Sequence, residues 1–188
     1  MRINFFWNWL TYIFVYFSAC YDNTVCLWNA RDGSKKLQIP SHTAPVRDVA
    51  FIDVDENKNA TFVSVSHDQT VVLHKYCSET NTIEGINVGK GHARSVDCVS
   101  VDPTKQYVAT GSFDTNLKIW SANLTNIDEA IEEDGDEGSG SKKAKNSSKA
   151  PTRTPLVTIA GKEICSNLLF SVNLGLLATP IDKGIRVS

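Results

Sequence analysis

Apolar and polar positions alternate along this chain in short runs, three of which lie between Gly91 and Trp120. Ser95–Val101, Tyr107–Ser112 and Asn116–Trp120 are each short and rich in β-branched or aromatic residues, the pattern of strands. Asp102-Pro103 breaks the first pair, and Phe113-Asp114-Thr115 makes a tight turn in the second.

The same alternation occurs upstream. Phe14–Cys20 and Asp22–Trp28 read as paired strands, followed by the turn Arg31-Asp32-Gly33-Ser34 and an outer strand at Leu37–Ile39. Val46–Ile52, Thr61–Ser66 and Thr70–His74 form the next set, with Asp53–Asn59 a polar excursion between two of them. The turn aspartates Asp22, Asp68 and Asp114 fall at a constant spacing of 46 residues. A period of that size predicts an all-β array in which each repeat is a blade of four antiparallel strands.

After Trp120 the pattern stops. Asp128, Glu129, Glu132, Glu133, Asp134, Asp136 and Glu137 form an acidic block, followed by Gly138–Ser141 and then by Lys142, Lys143, Lys145 and Lys149. With few apolar residues, residues 123–151 are expected to form a disordered loop between blades. Lys142, Lys143 and Lys145 are a candidate nuclear-import patch. Alternation returns in Thr152–Ser188, read as a degenerate, truncated fourth repeat, with Thr154–Ile159 an outer strand and Asn167–Val172 an inner one. Here Gly161 precedes Lys162 where the other repeats have a histidine, and Ser188 stands where Trp120 would fall.

Met1–Ala19 is apolar beside one basic residue, which raises a signal or membrane segment. Asn4, Asn8, Thr11 and two tyrosines count against that, as does a length short of the roughly 20 residues a spanning helix needs. Residues 1–10 fit no repeat and are set apart from blades spanning residues 11–122.

Composition changes the picture little. The net charge of −2 gives no case for nucleic-acid binding through bulk electrostatics. The five cysteines contain no C-x-x-C, so neither a disulfide framework nor a metal site is expected. Three sequons, at Asn59, Asn123 and Asn146, would matter only in a secreted chain. No phosphate-binding loop, dinucleotide fingerprint or H-E-x-x-H occurs, so no cofactor and no small-molecule substrate is expected. Arg31, Arg47 and Arg94 read as solvated charges near blade faces.

Gly91-His92, Asp114 and Trp120, with Ser41-His42 and Trp28 in the flanking repeats, resemble the WD-repeat family. Closed propellers of this architecture have roughly 4 to 8 blades of ~40–45 residues. The expectation is therefore a partial propeller of about three to four blades, open rather than closed and part of a longer protein. The resemblance also implies a linked set of side chains: His92, Thr110, Asp114 and Trp120 in one repeat, and His42, Ser64 and Asp68 in the one before. Asp22 and Trp28 are their counterparts in the first repeat, and Ser18, Ser64 and Thr110 share the offset of four residues before each aspartate. The alternative offset, two residues before, holds Cys20, Ser66 and Ser112. His74 replaces the tryptophan in the middle repeat and is expected to weaken its network. Ser, His and Asp also compose a hydrolase triad, but a set that recurs with every turn, without a nucleophile elbow, points to structure and no catalysis.

Ile39–Ile52, Gly91–Ser121 and the charged loop leading into Thr152–Thr158 narrow the resemblance to the Ytm-type ribosome-biogenesis branch of the family. That branch implies a non-catalytic scaffold of the nucleolus and nucleoplasm acting in large-subunit maturation and pre-rRNA processing. Its implied partners are proteins of the pescadillo and block-of-proliferation type, with indirect contact to the pre-ribosomal particle and none to a membrane. Its members also carry a ubiquitin-like domain engaged by the ATPase midasin; no stretch here resembles that domain, so the link is not carried over. The alternative is a WD-repeat adaptor of another complex, such as a ubiquitin ligase.

Overall fold

Short β-branched and aromatic runs between turn residues build a structure of strands, with no helix among the described residues. The computed structural model describes residues 2–5, 15–122, 152–162, 164–165, 168–170, 177–181 and 184–187. The first sheet is formed by β1 (Arg2–Phe5), β2 (Val15–Ala19), β3 (Thr24–Asn29) and β4 (Lys35–Pro40), each antiparallel to the next. The second runs β5 (Val46–Val54), β6 (Ala60–Ser66), β7 (Val71–Cys77) and β8 (Thr82–Gly89) in the same meander. The third starts with β9 (Val96–Val101), β10 (Tyr107–Ser112) and β11 (Asn116–Ser121). After residues 123–151 come β12 (Thr152–Arg153), which pairs in parallel with β8, and β13 (Val157–Ala160), which pairs antiparallel with β11. A last sheet holds β14 (Leu169–Phe170), β15 (Leu177–Ile181) and β16 (Gly184–Val187). The four sheets make an open, partial β-propeller.

Three features depart from the expectations. Arg2–Phe5 belongs to the first sheet, so the segment set apart as residues 1–10 contributes a blade strand. An edge such as that of β2 needs only backbone partners, which any extended segment supplies without a side-chain signature. Thr154–Ile159, assigned to a fourth repeat, instead contributes β13, the outer strand of the third blade. It follows that the charged segment 123–151 is an insertion within the third blade, between β11 and β13, rather than a loop between blades. The order and conformation expected for it, and Lys142, Lys143 and Lys145, lie outside the described residues.

Because the second blade lies between the first and the third, its inner strands are buried on both faces instead of alternating with solvent. On β6 Phe62 faces the first blade, while Val63 and Val65 face the third. Phe17, Leu27, Val49 and Phe62 fill the seam between blades one and two, where the Phe17 and Phe62 rings stack at 4.1 Å. Val65, Leu73, Val96, Val108 and Trp120 fill the next seam. The indole lies against Gly89, where even a methyl group would come within 2.8 Å of Cζ3. Cys98, Ala109, Leu117, Cys165 and Leu168 form a smaller third cluster.

The second-to-third strand turns share one backbone shape. Asn23, Gln69 and Thr115, each directly after the turn aspartate, have φ of 70°, 69° and 67°. For a β-branched residue such as Thr115 that left-handed conformation is strained.

Candidate functional site

The residues that the family resemblance singles out gather at one end of the sheets. In the third blade His92 lies on the loop before β9, Thr110 on β10, Asp114 in the β10–β11 turn and Trp120 on β11. His92 Nδ1 is 2.9 Å from Asp114 Oδ2 and its Nε2 is 2.8 Å from Thr110 Oγ1. Trp120 Nε1 donates to the same hydroxyl over 2.8 Å. The roles then assign themselves. The indole donates to Thr110, Thr110 donates to Nε2, and Nδ1–H donates to the carboxylate, so a neutral imidazole satisfies every group. Asp114 also accepts from the amides of Ala93 and Asn116, each at 2.9 Å.

Electrostatics agree with that assignment. Burial pushes the His92 pKa down and outweighs the upward pull of Asp114. Burial also opposes charge on Asp114, but the Ala93 amide and the His92 ring hold its carboxyl below the ordinary value. Thr110 is fully buried between His92 and Trp120, so the triad-like arrangement presents no nucleophile to solvent.

The middle blade repeats the plan with one change. His42 Nδ1 lies 3.0 Å from Asp68 Oδ2 and 3.0 Å from Thr70 Oγ1, and its Nε2 lies 2.8 Å from Ser64 Oγ. His74 occupies the position of the indole, with Nε2 2.8 Å from Ser64 Oγ, so the expected weakening does not take the form of a lost bond. Its ring stacks on Phe62 at 4.7 Å. If Ser64 donates to His42, His74 must carry its proton on Nε2, and the Nδ1 lone pair is left buried without a partner. Burial lowers the His74 pKa to about 3, so the ring is neutral. Asp68 lies well below the usual carboxylate range: burial opposes its charge, but the His42 ring and the Thr70 hydroxyl prevail.

In the first blade the pieces do not converge. Trp28 Nε1 donates to Ser18 Oγ over 2.8 Å, and its ring stacks on Tyr16 at 6.0 Å. Asp22 instead accepts from Thr24 and from Gln38 Nε2 on β4. The alternative hydroxyls, Ser66 and Ser112, hold turns instead of rings: each accepts from its aspartate's amide at 3.1 Å and donates to carbonyls of the preceding loop.

One contact between blades was not foreseen. Arg47, read as a solvated charge, is half-buried on β5 and donates from Nε to Asp97 of β9 over 2.6 Å. Its Nη1 donates to the Tyr21 hydroxyl over 2.5 Å, with the guanidinium 5.6 Å from that ring's centre, so one side chain links three blades. A signal was present: Arg47 follows His42, and Asp97 follows His92, by the same five residues, placing opposite charges at equivalent points of adjacent blades.

Residues 84–121, which span β8 to β11, match the family described as WD domain, G-beta repeat. Residues 84–121 are thus a WD repeat. The chain is 44% identical over 145 residues to the ribosome biogenesis protein WDR12 homolog of Ixodes scapularis, covering 77% of this chain and 34% of that protein. The Anopheles gambiae homolog of the same name is 42% identical over 171 residues, covering 90% of this chain and 38% of the relative. The Aedes aegypti one is 40% identical over 158 residues, covering 84% and 34%. The chain thus spans about a third of the length of the curated relatives it matches. Among the described residues no helix is long and apolar enough to cross a membrane.

Proposed function

We propose that this WD-repeat chain is part of a non-catalytic scaffold of ribosome biogenesis, acting in large-subunit maturation and pre-rRNA processing. The observation that carries this reading is the 40–44% identity to several ribosome biogenesis proteins, extending over 77–90% of the chain. The polar network supports it too, because side chains spent on holding loops to strands serve blade shape and leave the loops to bind. His42, Ser64, Asp68, His92, Thr110, Asp114 and Trp120 are on this reading structural, with Trp28 and Asp22 holding the first blade in a simpler way. Partners are proteins of the pescadillo and block-of-proliferation type, and the place of action is the nucleolus and nucleoplasm. Lys142, Lys143 and Lys145 serve entry to the nucleus, and the segment between β11 and β13 is a tether. The test is affinity capture of the tagged chain from nuclear extract, followed by mass spectrometry. Recovery of large-subunit precursor components with pescadillo-type proteins is expected. Ubiquitin-ligase subunits in their place would overturn the pathway while leaving the propeller intact.

A further inference from the structure

The chain contains two Thr-Pro dipeptides, Thr154-Pro155 and Thr179-Pro180. The fold treats them in opposite ways. Thr179 lies inside β15, the central strand of the last sheet, paired with Arg186 on β16. Thr154 stands in the gap between β12 and β13, where the returning chain crosses from the second blade to the third. It is exposed, and its hydroxyl takes part in no hydrogen bond among the described residues. Its neighbours hold the crossing: Lys90 N donates to Arg153 O over 3.0 Å, and Leu156 N donates to Ile119 O over 2.8 Å. Pro155 has no amide hydrogen to leave unpaired at this crossing, and its ring rests near Gly91, 3.2 Å from where a methyl group there would sit. The N-terminal anchor is only two residues of parallel pairing, Thr152 with Val88 and Arg153 with Gly89.

We propose that Thr154 is a phosphoacceptor for a proline-directed Ser/Thr kinase. Such kinases take their substrates as extended chain and read a proline directly after the acceptor hydroxyl. Thr154 meets both needs and is exposed beside an anchor of only two paired residues, whereas Thr179, although also followed by proline, is held by backbone pairing in the central strand of a sheet. In the transfer Thr154 Oγ1 attacks the γ-phosphorus of MgATP, and its hydroxyl proton passes to the kinase's aspartate. The bond from that phosphorus to the β–γ bridging oxygen breaks, and ADP leaves. The product carries a group of about −1.5 to −2 charge at pH 7 at the seam between blades two and three. Lys90, whose backbone ties down Arg153, is exposed on the same loop as the likewise exposed Arg94.

The test is phosphorylation of the full chain by a cyclin-dependent or mitogen-activated kinase with MgATP, mapped by mass spectrometry over time. Label at Thr154 accumulating at least about tenfold faster than at Thr179 is expected, because only the former is reached by local opening. Thr154→Ala should remove that label, and Pro155→Ala should slow it. In the heat-unfolded chain the two threonines should label at similar rates, which separates access from kinase preference. Equal labelling of the folded chain at both sites, label confined to Thr179 or to the serines of residues 139–148, or no label at Thr154 would overturn the proposal.

Discussion

The second and third blades carry the same polar plan and differ in the residue that closes it. In the third, Trp120 brings one donor and no acceptor, so its bond to Thr110 leaves no polar atom of the ring unpaired. In the second, His74 makes the equivalent bond to Ser64 at the same 2.8 Å and stacks on Phe62, but carries a second nitrogen that finds nothing. A buried polar atom without a partner costs about 1–3 kcal/mol. The lesson is that geometry is conserved between the two rings while satisfaction is not, and that the difference is one lone pair.

The largest test makes the third blade like the second. Trp120→His should cost about 3–5 kcal/mol in urea unfolding, since it empties the space over Gly89 and adds an orphaned nitrogen. A loss under about 1 kcal/mol would mean that the seam closes around the smaller ring. Acid is the next lever, and its sign follows from two depressed histidines. His74, with a folded pKa of about 3, and His92, also lowered, take up protons in the unfolded chain before the folded one. Stability is therefore fully present above about pH 6.5 and is lost as pH falls from there toward 3, by up to about 1.4 kcal/mol per unit per proton. Asp68 and Asp114, held below the ordinary 3.8, act with the same sign at the acid end. His74→Phe should take about one proton out of that slope, measured by urea melts between pH 7 and 4; an unchanged slope would show that His74 does not titrate on unfolding.

Asp114→Asn sharpens the comparison within the third blade. It weakens three hydrogen bonds, from His92, Ala93 and Asn116, and should cost about 1–3 kcal/mol, with faster exchange of the Ala93 amide as a local readout. The same exchange on an undisturbed Ala93 amide would argue against the network. The smallest effect expected is a gain. Thr115→Asn puts at φ 67° a residue that tolerates it, as Asn23 already does in the first blade, and should add up to about 1 kcal/mol at the expense of the Thr115 bond to Gly161 O.

Much of the blade architecture was legible because it is local. The 46-residue recurrence of Asp22, Asp68 and Asp114 marks turns that need an aspartate before a left-handed residue, and the apolar runs beside them can only be strands. The ring-to-hydroxyl-to-carboxylate set was legible through family resemblance, with Ser64 and Thr110 favoured over Ser66 and Ser112 because Cys20 breaks the nearer offset in the first repeat. Position along the strand separates the two offsets: residues two apart face the same way, and Thr110 falls beneath the His92 ring while Ser112 falls at the turn.

What the amino-acid order determined by itself is therefore the strands, their turns and the polar residues available at each turn, because those depend on neighbours within a few positions. Tertiary structure alone decided which sheets Arg2–Phe5 and Val157–Ala160 join, that the charged segment interrupts one blade, and that Arg47 meets Asp97 across 50 residues. Strand edges accept any extended backbone, so strand membership leaves no local trace, and the equal offsets of Arg47 and Asp97 from their histidines become an ion pair only once the seam brings the two charges together.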